Sequence, residues 1–135
     1  MAKITFNLEE LIQILISNEL LRGEILRPKV DGDRIHFVIR TNSFILPYIP
    51  ASLGYLGFSD NLATFELTIV SSHLNKAVSR LKKILQFKLP VYMKLEYPKI
   101  FVDVEKLLKE KNIRGIRVKD ISLKGGEFTI TTCNT

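Results

Sequence analysis

The chain has a single cysteine, no tryptophan and two histidines among its 135 residues. One cysteine, Cys133, cannot form an internal disulfide, which fits a reducing compartment. No apolar run reaches the roughly 18–20 residues that span a bilayer. The first residues lack the basic end and unbroken apolar stretch of a signal peptide. We therefore expect a cytoplasmic protein without a transmembrane segment.

Sequence signatures of catalysis and metal binding are also missing. His36 and His73 have no second ligand at metal-binding spacing. The segment Gly54-Tyr55-Leu56-Gly57 lacks the Gly-Lys-Ser/Thr ending of a phosphate loop. Asp31-Gly32-Asp33 has the composition of a tight turn, and Cys133 is poorly placed for a preorganised nucleophile. The sequence predicts no enzyme, no catalytic residue, no metal site and no cofactor.

Acidic residues are scarce in the second half of the chain. Residues 1–70 hold six Lys/Arg and eight Asp/Glu, whereas residues 71–135 hold fourteen and six. From Leu67 to Leu95 there is no acid at all. Such a charge distribution favours an anionic partner, namely an acidic protein, a nucleic acid or an anionic membrane surface. A simple solvated basic face is the alternative.

What is present is an ordinary globular composition, with 46% apolar and 25% charged residues. Strand-like alternation and helical spacing of apolar residues interchange along the chain. We predict helices that begin near Asn7, Ser71 and Asp103, and an edge strand over 24–30. The prediction is an α+β fold with an antiparallel sheet and about three helices. One domain is expected over residues 1–135.

Two parts of the chain have a similar pattern, which suggests an internal repeat. Residues 4–12 align with residues 100–108, and each begins with a short strand that ends in a polar helix cap. Arg22-Gly23 aligns with Arg114-Gly115, and a glycine hairpin follows in both copies. Duplicated strand–helix–hairpin units are thus predicted over 1–41 and 99–135, with a joining segment over 42–98. Chance convergence on a common arrangement is the alternative.

The segment Phe6-Asn7-Leu8-Glu9, followed by an amphipathic helix and a glycine hairpin, resembles a unit of bacterial tubular lipid-binding and mycobacterial mannan-elongation-type periplasmic proteins. The resemblance covers about half of the chain. It implies a curved sheet that cradles an acyl chain. The chain departs from that family in its short length and in lacking a signal peptide.

The joining segment is the expected location of function. Residues 41–59 carry no charge, and residues 71–88 are predicted to form a basic helix. This combination is typical of a peripheral membrane contact. The hypothesis is a non-catalytic module for an apolar or anionic amphiphile or a membrane surface. The predicted ligand contacts are four apolar and three cationic side chains: Phe44, Tyr48, Tyr55, Phe58, Lys76, Arg80 and Lys83.

Three alternatives remain at this stage. The uncharged stretch could fill the core beneath the basic helix. Alternatively, exposed edge strands and the uncharged stretch could pair two copies of the chain as a homodimer. Finally, Lys76, Arg80 and Lys83 could form a nucleic-acid-binding stripe, with Tyr92 and Tyr97 stacking on bases.

Overall fold

The computed structural model describes residues 2–10, 13, 25–41, 44, 47–70, 75, 78–79 and 90–134. Within these ranges, nine strands and one seven-residue helix have defined bounds. In chain order they are β1 (Ala2–Asn7), β2 (Ile25–Asp31), β3 (Arg34–Arg40), β4 (Tyr48–Ser59), β5 (Leu62–Ile69), β6 (Met93–Glu96), β7 (Lys99–Asp103), α1 (Val104–Glu110), β8 (Ile116–Lys124) and β9 (Glu127–Asn134).

The strands form two antiparallel sheets. A three-stranded sheet has the order β1-β9-β8, and a six-stranded sheet has the order β2-β3-β4-β5-β7-β6. β2 lies at the edge of the larger sheet, as predicted for residues 24–30, and a bulge interrupts its register around Pro28. All three predicted segments of the chain contribute strands to the larger sheet.

The predicted α+β class with about three helices is wrong. Strands make up 66% of the described residues and helix only 14%. The uncharged stretch at 41–59, expected to be an irregular insertion, contains the longest strand of the larger sheet, β4. Most of the predicted helices over 8–22 and 71–88 lies outside the described residues. The described part of the chain is therefore a mainly antiparallel β structure.

Pro50 explains why β4 does not look like a central strand in the sequence. A proline in a paired strand usually costs a ladder hydrogen bond, because it has no N–H. The carbonyl oxygen of Pro50 accepts a hydrogen bond from Val70 N–H at 3.0 Å. Since the N–H and C=O of one strand residue point to the same side, the missing donor faces Val70, where β5 has just ended. The one ladder bond that the proline costs, from residue 50 to Val70 O, therefore lies just beyond the end of β5 and leaves the pairing of β4 with β5 intact.

The hydrophobic core covers one face of the six-stranded sheet, which we call the core face. Its buried centre consists of residues from β3, β4 and β5, and partly buried side chains, including Val78, pack against it. The opposite face, the outer face, carries Arg34 and the hydroxyl groups of Ser52 and Thr68 near its centre. The buried centre comprises Ile39, Ile49, Ala51, Leu67 and Ile69.

Aromatic rings join the two sheets. The ring of Tyr55 in β4 lies 5.3 Å from that of Phe65 and 5.4 Å from that of Phe128 in β9. Phe128 in turn lies 5.9 Å from Phe6 in β1. These centroid distances are typical of favourable aromatic contacts. The core therefore continues from the larger sheet into the smaller one.

Two glycine turns meet at one side of the sheets. Gly126 N–H, in the turn between β8 and β9, donates a 2.6 Å hydrogen bond to Oδ1 of Asp33, in the turn between β2 and β3. Gly126 O accepts from Leu8 N–H at 3.1 Å. Both hairpins were predicted from their turn residues, and both are present. Whether the two ends arose by duplication remains a prediction.

Helix α1 begins at the residue that the sequence predicts. Asp103 is its N-cap, and the Asp103 carboxylate accepts a 3.1 Å hydrogen bond from Lys106 N–H. Asn7 makes the equivalent bond to Glu10 N–H at 2.7 Å, where helical residues follow β1. These side chains satisfy backbone donors that a helix start leaves without partners.

Candidate functional site

Exposed apolar side chains gather where β3 ends and β4 begins. Thr41 N–H donates a 2.8 Å hydrogen bond to Pro47 O, which closes the connection between the two strands. Phe44, within that connection, is 103% exposed, a value reached only when nothing packs on the ring. Tyr48, the first residue of β4, is 58% exposed. Exposure of apolar side chains to water is unfavourable, so covering them would lower the free energy.

Strand pairing brings Val70 to the same end of the sheet. The N–H of Val70 donates to Pro50 O, so Val70 lies beside β4 at a position two residues after Tyr48. Val70 is 67% exposed. Because strand side chains alternate between faces, residues 48 and 50 both point to the outer face. We call this exposed set the apolar rim, and it consists of Phe44, Pro47, Tyr48, Pro50 and Val70.

A positive charge lies next to the apolar rim. Arg40 is exposed and pairs directly with Tyr48 in the register of β3 and β4. Val70 itself lies within the acid-free stretch, which continues to Leu95. Lys76, Arg80 and Lys83, the predicted anion contacts, lie in that stretch but outside the described residues. Arg40 is therefore the cation that the described structure places at the rim.

The structure separates the four aromatic residues that the sequence grouped together. Phe44 and Tyr48 lie at the apolar rim, whereas Phe58 is partly buried and pairs with Ala63 near the opposite end of β4. Tyr55 points into the joint between the sheets, and its hydroxyl donates a 2.6 Å hydrogen bond to Ile121 O. Burial, and secondarily the charge of Asp120, raises the pKa of Tyr55 to about 12.

Arg34 holds a polar cluster together on the outer face. Its guanidinium donates to Ser52 Oγ at 3.1 and 3.2 Å and to Thr68 Oγ1 at 3.0 Å. It also lies 3.4 Å from Oε1 of Glu66. A Cβ at Gly54 would lie 2.6 Å from Nη1 of Arg34, so the glycine provides the space for this side chain. The guanidinium binds groups of the sheet itself, which indicates a structural role.

Of the polar residues considered in the sequence, His36 and Asp31 lie close together, whereas Cys133 lies in the smaller sheet. His36 Nε2 is 3.4 Å from Oδ2 of Asp31, whereas His73 lies outside the described residues. Cys133 Sγ accepts a 3.5 Å hydrogen bond from Arg117 across the β8–β9 pair. Among the described residues, no three His, Cys, Asp or Glu side chains come together to hold a metal ion. Over the same ranges, no helix has the length and hydropathy needed to cross a membrane.

Sequence reasoning missed Arg40, Pro50 and Val70 as members of this surface. Val70 ends a strand pattern, and nothing local to it indicates that it lies beside β4. Only the pairing of β4 with both of its neighbours brings these residues together. Comparison with protein-family models, curated proteins and solved structures finds no match to this chain.

Proposed function

We propose that this protein is a non-catalytic module that binds an anionic membrane surface through the apolar rim. The observation that carries the proposal is the complete exposure of Phe44 in the connection that leads into β4, at the end of the sheet where Tyr48 and Val70 are also exposed. Contiguous apolar patches on a protein surface commonly mark a site of interaction. Phenylalanine inserts into the acyl boundary, and tyrosine favours the headgroup level because its ring is apolar and its hydroxyl polar.

Charge supports an anionic surface over a neutral one. The net charge of the chain is +6, and Arg40 lies beside Tyr48 at the rim. Each Lys or Arg near an anionic leaflet contributes about 1 kcal/mol of attraction, which falls off within a Debye length. A cytoplasmic location is part of the proposal, because the inner leaflet is the anionic one and because a single cysteine is compatible with a reducing environment.

Co-sedimentation with vesicles tests the proposal. We expect the protein to bind vesicles of phosphatidylcholine and phosphatidylserine more tightly than vesicles of phosphatidylcholine alone. Added salt should weaken that binding. Phe44→Ser should weaken it about tenfold, because burying part of a phenylalanine contributes about 1.4 kcal/mol.

Ile113→Ser is the matched control, since Ile113 is another exposed apolar residue, 44% accessible, away from the rim. It should bind vesicles like the unaltered protein. Equal binding to the two vesicle types, or equal losses in Phe44→Ser and Ile113→Ser, would contradict the proposal. So would a dimer in light scattering that Phe44→Ser converts to a monomer, because the rim would then be an interface between copies.

A further inference from the structure

A groove of about 440 Å³ opens on the outer face of the six-stranded sheet, next to α1. Pockets that hold small molecules have volumes of about 300–1,000 Å³. β5 separates the groove from the apolar rim, because Leu62 at the start of β5 lines the groove and Val70 follows its end. At about 3.3 Å per residue, the two places are roughly 26 Å apart. The groove is thus a second surface, independent of the rim.

Strand register explains how the groove is built. Leu62 and Asp103 are direct partners in β5 and β7, and Tyr92 O accepts a 2.7 Å hydrogen bond from Asp103 N–H. Two residues before Asp103, on the same face of β7, Phe101 pairs with Lys94 of β6. Because alternate residues share a face, Tyr92 and Phe101 both line the groove, as Leu62 does. The wall therefore combines two aromatic rings with an aliphatic side chain.

Most charged groups around the groove already have a partner. Lys94 Nζ lies 2.8 Å from Oε1 of Glu96, and the Asp103 carboxylate caps α1. Lys106, from the first turn of α1, also lines the groove. Among the described residues its ammonium makes no ion pair, unlike Lys109 one turn later, which lies 3.6 Å from Glu105. One cation thus remains available beside an aromatic wall.

We propose that this groove binds a small organic monoanion with a flat aromatic body. The ring lies against Phe101 and Tyr92, where aromatic contacts favour it, and the anionic group meets the ammonium of Lys106. A dianion gains less, because Glu96 and Asp103, which also line the groove, repel a second negative charge. The inference is separate from membrane binding and does not depend on the apolar rim.

Titration calorimetry with three probes tests the chemistry of the groove. The probes are 2-naphthoate, its neutral counterpart 2-naphthol, and octanoate, which has the charge without the ring. We expect 2-naphthoate to bind about threefold to tenfold more tightly than either of the other two, because a partly exposed charge pair and a ring contact each contribute modestly. Octanoate binding as tightly as 2-naphthoate would overturn the aromatic assignment. Equal binding of 2-naphthol would overturn the anionic one.

Lys106→Gln tests the position of the anion, with Lys109→Gln as the matched change on the same helix. Lys106→Gln should remove the preference for 2-naphthoate over 2-naphthol and leave the affinity for 2-naphthol unchanged. Lys109→Gln should keep the preference. Equal effects of the two substitutions would overturn the inference. Phe44→Ser, which tests membrane binding, should leave the affinities for all three probes unchanged. Each of the two proposals can therefore be refuted without affecting the other.

Discussion

The hydroxyl of Tyr55 donates a 2.6 Å hydrogen bond to the carbonyl oxygen of Ile121, sixty-six residues further along the chain. This bond crosses from β4 in the larger sheet to β8 in the smaller one. Together with the ring contacts of Tyr55 to Phe65 and Phe128, it fixes how the two sheets pack. A side chain predicted to contact a ligand thus has a clear role in holding the fold together.

Tyr55→Phe should lower the free energy of unfolding by about 1–2 kcal/mol. The substitution keeps the ring contacts and removes only the hydroxyl, so that Ile121 O loses its donor in a partly buried place. Urea denaturation measures the change. Tyr48→Phe is the control, because the ring of Tyr48 is exposed and removing its hydroxyl should change stability little. Equal effects of the two substitutions would show that the bond between the sheets contributes nothing.

Alkaline pH should weaken the fold through the same residue. The pKa of Tyr55 is raised from 10.0 to about 12, chiefly by burial and then by the charge of Asp120. Between those values the unfolded chain loses the phenolic proton while the folded chain keeps it. The contribution of Tyr55 to stability is therefore complete below about pH 10 and is lost as pH rises towards 12.

Denaturation of the unaltered protein and of Tyr55→Phe across this range isolates the effect, because the two proteins differ only in the Tyr55 hydroxyl. The stability difference between them should shrink as pH rises above 10. Absorbance of ionised tyrosine in the folded protein gives a second measurement, in which Tyr55→Phe should remove the component that ionises near pH 12. A pH-independent difference would contradict the raised pKa.

Gly54→Ala should destabilise the sheet by displacing Arg34. The new methyl group would lie 2.6 Å from Nη1 and 3.2 Å from Cζ of Arg34, so the guanidinium must shift, which strains its hydrogen bonds on the outer face. We expect a loss of about 1 kcal/mol in thermal or urea unfolding, which is about one hydrogen bond, because the end of a flexible side chain can shift without losing all of its partners.

A double-mutant cycle provides the control for that prediction. In an Arg34→Ala background, Gly54→Ala should cost nothing or should stabilise the strand, since alanine is preferred to glycine where space allows. If Gly54→Ala costs the same with and without Arg34, the glycine has some other role.

Local features of the sequence predict the turns and caps of this fold well. Asp31-Gly32-Asp33 forms the expected turn, in which Gly32 has a φ of 62°, a value that glycine adopts without strain. Asp103 caps its helix as its position suggests. Each of these structures depends on neighbours within a few residues, which is why the sequence alone is enough to place them.

Long-range pairing accounts for what the sequence could not predict. Pro47, Pro50, Gly54 and Gly57 are common in loops, yet three of them lie within β4. Pro50 is tolerated because it lies just beyond the end of β5, and Gly54 leaves room for the side chain of Arg34. The same holds for the apolar rim. Phe44 and Leu53 look equally apolar in the sequence, but Leu53 packs against the core and Phe44 is exposed.

The pairing of β1 with β9 has a consequence for the order of synthesis. Ala2 lies opposite Thr132, and Phe6 lies opposite Phe128. Ribosomes add about 5–20 residues per second, so β1 leaves the ribosome roughly 6–25 seconds before its partner. During that interval Ile4 and Phe6 have no strand to pair with. The three-stranded sheet must therefore form late, and a nascent chain that stalls before β9 leaves an unpaired strand that chaperones can bind.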